Sequence, residues 1–134
     1  MSGLRPFALF CLLFSTAVLA AEKAEETASK APALYHKISP SLVANVQGKA
    51  RYIRCDVQLM TRDEDYLDEI SLHTPAIRHE LLLLLSDQKG KELKNPKGKE
   101  KLRKVALKAV RATLKELTGS NQVEDLYFTS FYVQ

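Results

Sequence analysis

Residues 51–61 read RYIRCDVQLMT, and within them Ile53, Cys55, Val57 and Leu59 alternate with Arg54, Asp56 and Gln58. A period of two puts the four apolar side chains on one face of an extended backbone and the polar ones on the other. The stretch therefore predicts a β-strand with one face on a core. Such a strand needs neighbours for its backbone groups and a second layer over its apolar face.

The flanking sequence offers both. Upstream, LYHKISPSLVANV (34–46) is interrupted by Pro40, after which Leu42, Ala44 and Val46 alternate, so a short first strand is expected before a turn at Gly48. Downstream, RDEDYLDEI (62–70) is strongly acidic and reads as a solvated turn. Thr74 can cap a helix and Pro75 suits its first position. In AIRHELLLLLS, Ile77, Leu81, Leu84 and Leu85 form a stripe that Leu82 and Leu83 widen, so this helix is expected to seek burial on most sides. Burying four leucines contributes on the order of 6–12 kcal/mol before entropy is charged, enough to nucleate the core against the sheet.

SDQKGKELKN (86–95) reads as a polar loop, and Asn95-Pro96 repeats the cap-then-proline signal. A helix of about 22 residues should follow, with Leu102, Val105, Ala106, Ala109, Thr113 and Leu117 on its apolar face and Gly119 as its left-handed stop. VEDLYFTSFYVQ (123–134), rich in aromatic and β-branched residues, predicts a closing strand. The expected fold is α+β: one small domain over 34–134, with a mixed or antiparallel sheet packed against a Leu-rich helix and a long amphipathic helix.

The chain has 134 residues, 46% hydrophobic and 27% charged, which excludes collagen, extended disorder and a multi-span membrane protein. Its beginning, MSGLRPFALFCLLFSTAVLAAEKAEE, places Arg5 before an apolar run from Phe7 to Ala20 and charges after it. Fourteen helical residues reach about 21 Å, short of the roughly 30 Å hydrocarbon core. Residues 1–20 are therefore read as a signal peptide cleaved after Ala20, with an uncleaved anchor from Leu4 to Ala21 as the alternative. Cys11 follows Phe10 inside the run rather than a small residue at its end, which argues against lipidation. AEKAEETASKAPA (21–33) lacks large apolar groups and reads as a flexible tether. Two cysteines cannot build a disulfide framework or a four-thiolate zinc site, and Cys55, on the apolar strand face, is expected to be a buried inert thiol.

The net charge of +4 hides a strong asymmetry. Lys89–Lys115 carries eleven basic and two acidic residues, whereas Asp56–Glu69 carries one basic and six acidic. On the long helix Lys101, Lys104, Lys108, Arg111 and Lys115 recur at spacings of 3, 4, 3 and 4, a stripe on one side that Arg103 adjoins. The stripe can face anionic lipid headgroups or an acidic surface of a neighbouring subunit; a plain solvated helix face is the commoner meaning of such a pattern. Export and the lack of interleaved aromatics argue against nucleic acid as a partner. Asp63, Glu64, Asp65, Asp68 and Glu69 lack the glycine and distal glutamate of a calcium loop. His36, His73 and His79 lack zinc-ligand spacing. There is no G-x-S-x-G elbow, no placeable Cys–His pair and no glycine-rich phosphate loop. No enzyme, metal or cofactor is expected.

Five segments in order, LVANV (42–46), ARYIRCDVQLMT (50–61), TPAIRHELLLLLS (74–86), PKGKEKLRKVALKAV (96–110) and LYFTSFYVQ (126–134), resemble the periplasmic domain of the flagellar basal-body protein family FliL over about Leu34–Gln134. The resemblance implies a stomatin-type (SPFH-like) fold assembled as a homo-oligomeric ring around stator units. It further implies a non-catalytic accessory at the inner membrane that supports stator engagement, torque and swimming, swarming or chemotactic motility. Its implied partners are copies of itself and stator or basal-body proteins; Lys101, Arg103, Lys104, Lys108, Arg111 and Lys115, read from the basic stripe, are the candidate interaction residues, facing either a neighbouring subunit or, in a peripheral contact, the inner membrane. The family usually has a full transmembrane helix, and this chain departs from that with a short segment read as cleavable. The implied location is the periplasm at the basal body, or alternatively a single-pass inner-membrane protein with a periplasmic C-terminal domain. The rival reading is a periplasmic module for anionic lipid or another acidic ligand, independent of the flagellum.

Overall fold

A computed structural model describes residues 30–134 of the chain. The export segment expected at 1–20, and all of the expected tether except its last four residues, lie outside the described residues. The elements run β1 (Leu34–Asn45), β2 (Tyr52–Thr61), α1 (Glu64–Leu72), α2 (Thr74–Ser86), α3 (Gly90–Leu93), α4 (Pro96–Thr118) and β3 (Val123–Val133). The architecture is α+β, a single small domain whose three strands pair antiparallel in the order β1-β2-β3.

The central strand follows its alternation. Ile53, Cys55, Val57 and Leu59 are fully buried, and their partners across the sheet include Ile38, Leu42, Leu126 and Phe131. β1 is longer than the short strand expected. It passes through Pro40, with a cis Ser39–Pro40 bond and a register shift between Ile38 and Leu42. An edge strand tolerates this because a bulge removes the ladder position that proline cannot serve.

The acidic segment is not a turn but helix α1. Asp63 is extended and its carboxylate accepts a hydrogen bond from the Asp65 N–H at 3.1 Å, while Glu64 and Asp65 sit in the first turn, where the helix dipole favours negative charge. Tyr66 and Ile70, four residues apart, are its buried pair. The Tyr66 hydroxyl donates to the Ser120 carbonyl at 3.0 Å, tying the start of α1 to the end of α4.

Helix α2 begins at Thr74, yet Thr74 is not its side-chain cap. Its hydroxyl donates to the Ile70 carbonyl at 2.9 Å and so closes α1, while His73 occupies the N-cap position without a side-chain bond. The burial expected on most sides is also narrower: Ile77, Leu81 and Leu85 are buried, Leu82 and Leu84 half-buried, and Leu83 is 55% exposed. The polar loop expected at 86–95 contains the single turn α3, whose Leu93 is buried.

Asn95 caps α4 by accepting from the Lys97 N–H at 2.9 Å, and Gly119 ends it at φ 79°, both as the sequence implied. The buried face of α4 is Leu102, Ala106, Val110 and Leu114; Val105 and Leu117, expected on that face, are exposed. The helices cover the inner sheet face, and Tyr35, Val43 and Tyr132 lie exposed on the strands.

Two outcomes test this packing. Leu81→Ala should cost about 2–5 kcal/mol in denaturant unfolding because it leaves a core cavity, while Leu83→Ala should stay within about 0.5 kcal/mol of the parent. Burial, with a smaller effect from Asp56, pushes the Cys55 thiol up to about 12. Peptide-resolved mass spectrometry after iodoacetamide treatment at pH 8 should therefore find Cys55 unmodified in the folded chain and alkylated after denaturation.

Candidate functional site

Helix α4 lies against β3 with the opposite sense, so its N-terminal end meets Phe131 and its C-terminal end meets Val123. This placement divides the six candidate residues into two groups. Arg103 and Arg111 turn toward β3, whereas Lys101, Lys104, Lys108 and Lys115 remain exposed.

Arg103 forms a fork among three partners. Its Nε and Nη2 donate to the Glu100 carboxylate at 2.8 and 2.7 Å, one helical turn earlier. Its Nη1 donates to the Asp125 carboxylate and, at 3.2 Å, to the Leu126 carbonyl. The Glu100 hydrogen bond is the largest cause holding the guanidinium above its ordinary pKa, and the same bond holds the Glu100 carboxyl below the usual carboxylate range. Arg111 donates from Nε to the Val123 carbonyl at 2.8 Å. Planar, multidonor guanidinium groups suit these roles; a single ammonium would meet only part of them. The two arginines position the helix on the edge strand. The lysines between and beyond them carry the charge that solvent or a partner can reach.

Sequence reasoning grouped these side chains by helical spacing and missed the clamp, because the acceptors lie on a strand that follows the helix. It also missed an open groove of about 350 Å³ between the start of α4 and β3, lined by Pro96, Lys99, Arg103, Tyr127, Phe128 and Phe131. There Phe128 and Phe131 meet edge-on at 5.1 Å between centroids, and the Lys99 ammonium sits 4.9 Å from the Phe131 ring centre. The only signal for this groove in the sequence was the aromatic run LYFTSFY. On the sheet, Tyr35 and Tyr127 stand 6.1 Å apart, and Tyr52 and Tyr132 stand 6.4 Å apart.

The acidic residues form no candidate metal cluster with cysteine or histidine among the described residues. Asp63 is occupied in capping, and Glu69 lies 3.6 Å from the His73 imidazole. His36 is half-buried on β1, and that burial lowers its pKa. These arrangements are structural contacts, and none brings a nucleophile and a base together.

The family model described as "Flagellar basal body-associated protein FliL" matches residues 35–134. The Flagellar protein FliL of Aquifex aeolicus (strain VF5) is 26% identical over 114 residues, covering 84% of this chain and 68% of that protein.

The clamp makes a measurable distinction among the basic residues. Arg103→Ala should destabilise the domain by about 1–2 kcal/mol, a figure reduced for its partial exposure, and Arg103→Lys should recover only part of that. Lys104→Ala should shift unfolding by less than about 0.5 kcal/mol.

Proposed function

The chain belongs to the FliL family of flagellar basal body-associated proteins, and we propose that it supports stator engagement and torque in flagellum-dependent motility and chemotaxis. The match across 35–134, which runs from the second residue of β1 to the last residue of the chain, carries this reading. The family is one of flagellar accessory proteins not known for catalysis. In the proposed role the domain works by docking: it stands on the periplasmic side of the inner membrane and contacts copies of itself and stator or basal-body proteins.

The proposed assembly is a homo-oligomeric ring. Lys101, Lys104, Lys108 and Lys115 supply an exposed basic surface, and Asp63, Glu64, Asp65 and Asp68 an exposed acidic one. Two different surfaces of opposite sign suit a head-to-tail contact, which closes into a ring when the rotation between copies divides a full turn. Arg103 and Arg111 contribute indirectly, by holding the lysine-bearing helix on β3.

Deleting the gene should reduce swimming and swarming while leaving filaments assembled; unchanged motility with altered envelope properties would favour the anion-binding module instead. Complementation with Lys104→Glu/Lys108→Glu should fail to restore motility although the variant unfolds like the parent. Full restoration by that variant would remove the lysine surface from the mechanism.

A further inference from the structure

A second basic feature lies away from the exposed face of α4. Lys49, on the β1–β2 turn, and Lys89, Lys91 and Lys94, on the connection between α2 and α4, line one concavity of about 570 Å³ with Gln47 and Ala50. All four lysines are exposed, and none takes part in the ion pairs found among the described residues. No acidic side chain lines the concavity. Glu92, between Lys91 and Lys94 in sequence, lines a different depression with Leu93 and Lys101. The local backbone therefore sorts the lysines to one side and the carboxylate to another.

The two segments are fastened together. The Gln47 N–H donates to the Gln88 carbonyl at 2.9 Å and the Gly90 N–H to the Gln47 carbonyl at 3.0 Å, forming a parallel bridge between Gln47 and Lys89. Gly90 allows the approach, since a Cβ there would stand 2.3 Å from the Ala50 Cβ and 3.0 Å from the Val46 Cγ2. Leu93, buried in the core, holds the far side of the connection. Backbone contacts thus gather four like charges that would otherwise separate, and an anion in the concavity relieves their repulsion.

We propose that this concavity binds a ligand carrying several phosphate charges, supplied either by clustered phospholipid headgroups or by a soluble oligophosphate. Its volume lies within the range of small-molecule sites and exceeds what a single monatomic ion needs. The lining suits phosphate: lysine ammonium groups are rotatable point donors that meet a tetrahedral oxyanion from any direction, and four of them with no opposing carboxylate match a ligand of several negative charges.

Residue-resolved acetylation of the full chain tests the site. Rates at Lys49, Lys89, Lys91 and Lys94 are compared with those at Lys104, Lys108 and Lys115, with inorganic tripolyphosphate, with phosphatidylglycerol vesicles, and with phosphatidylcholine vesicles as the zwitterionic control of zero net charge. Selective slowing of the four pocket lysines by about fivefold or more is expected from at least one anionic probe. Slowing by tripolyphosphate assigns a soluble ligand as sufficient, and slowing by phosphatidylglycerol alone assigns the lipid surface. Equal slowing at the α4 lysines, or none with either anionic probe, overturns the proposal. In Lys91→Gln/Lys94→Gln, with unfolding unchanged, protection of Lys49 and Lys89 should disappear; its full retention would also overturn the proposal.

Discussion

A three-stranded sheet has one strand with neighbours on both sides, and in this domain that strand carries four fully buried side chains on a single face: Ile53, Cys55, Val57 and Leu59. Leaving that face in water would forfeit about 1.5–3 kcal/mol for each large aliphatic side chain, so the sheet is stable only under a cover of helices. The cover has two main parts. Helix α2 packs over β1 through Ile77, Leu81 and Leu85, and α4 packs over β3 through Leu102, Ala106, Val110 and Leu114. β1 and β3 supply both flanks of the sheet and the contacts that seat those helices. The arginine clamp at Arg103 and the edge-strand bulge at Pro40 are adjustments within this arrangement.

Basic side chains divide their work by chemistry. Arg62 reaches Glu124 and the Ala31 carbonyl, Arg78 the Pro40 carbonyl, Arg103 the Asp125 and Leu126 acceptors, and Arg111 the Val123 carbonyl. Each joins segments distant in sequence. The lysines of α4 and of the connection before it enter none of the ion pairs found among the described residues. A guanidinium loses less hydration on docking and aims several donors at once, so it suits fixed internal bonds; an ammonium is left for adaptable external ones. A count of positive charge along the chain merges these populations, although the lysines, with the exposed Arg51 and Arg54, give the surface most of its accessible charge.

The parts of the fold legible in the sequence are those decided within a few residues. The alternation of β2, the Asn95–Pro96 start and the Gly119 stop each depend on local backbone chemistry, and each stands where it was read. Features decided by tertiary contacts were not legible. Among five consecutive leucines, spacing placed Leu81 and Leu85 on the buried stripe but did not show how narrow that stripe is: Leu82 and Leu84 are half-buried and Leu83 is exposed because α2 has its cover on one side only. The acidic density of 62–70 obscured a helix that buries only two of its nine residues, Tyr66 and Ile70. On α4 the buried residues follow steps of four, a row inclined to the helix axis, because the helix packs ridge against surface rather than along a stripe parallel to its axis. The candidate lysines could be read from spacing, whereas the arginine clamp and the concavity at Lys49 required partners brought from elsewhere in the chain.

The electrical polarity of the domain follows from the same connectivity. Antiparallel pairing puts the β1–β2 turn at one end of the sheet and the β2–α1 connection at the other. The Gln47–Lys89 bridge brings the lysine-bearing connection to the first end, and the Thr61–Val123 pairing and Tyr66–Ser120 bond bring the end of α4 to the second. Between them α4, at 23 residues, extends for about 34 Å, several times the roughly 8 Å screening length at physiological salt. Lys49, Lys89, Lys91 and Lys94 therefore act as one electropositive end, little cancelled by Asp63, Glu64, Asp65 and Asp68 at the other. A modest net charge of +4 is compatible with a strong directional field because the chain turns at alternate ends and its acidic and basic segments fall at different turns. The four lysines of the concavity thus concentrate positive charge at the end where β1 finishes, the full length of that strand away from where β1 begins.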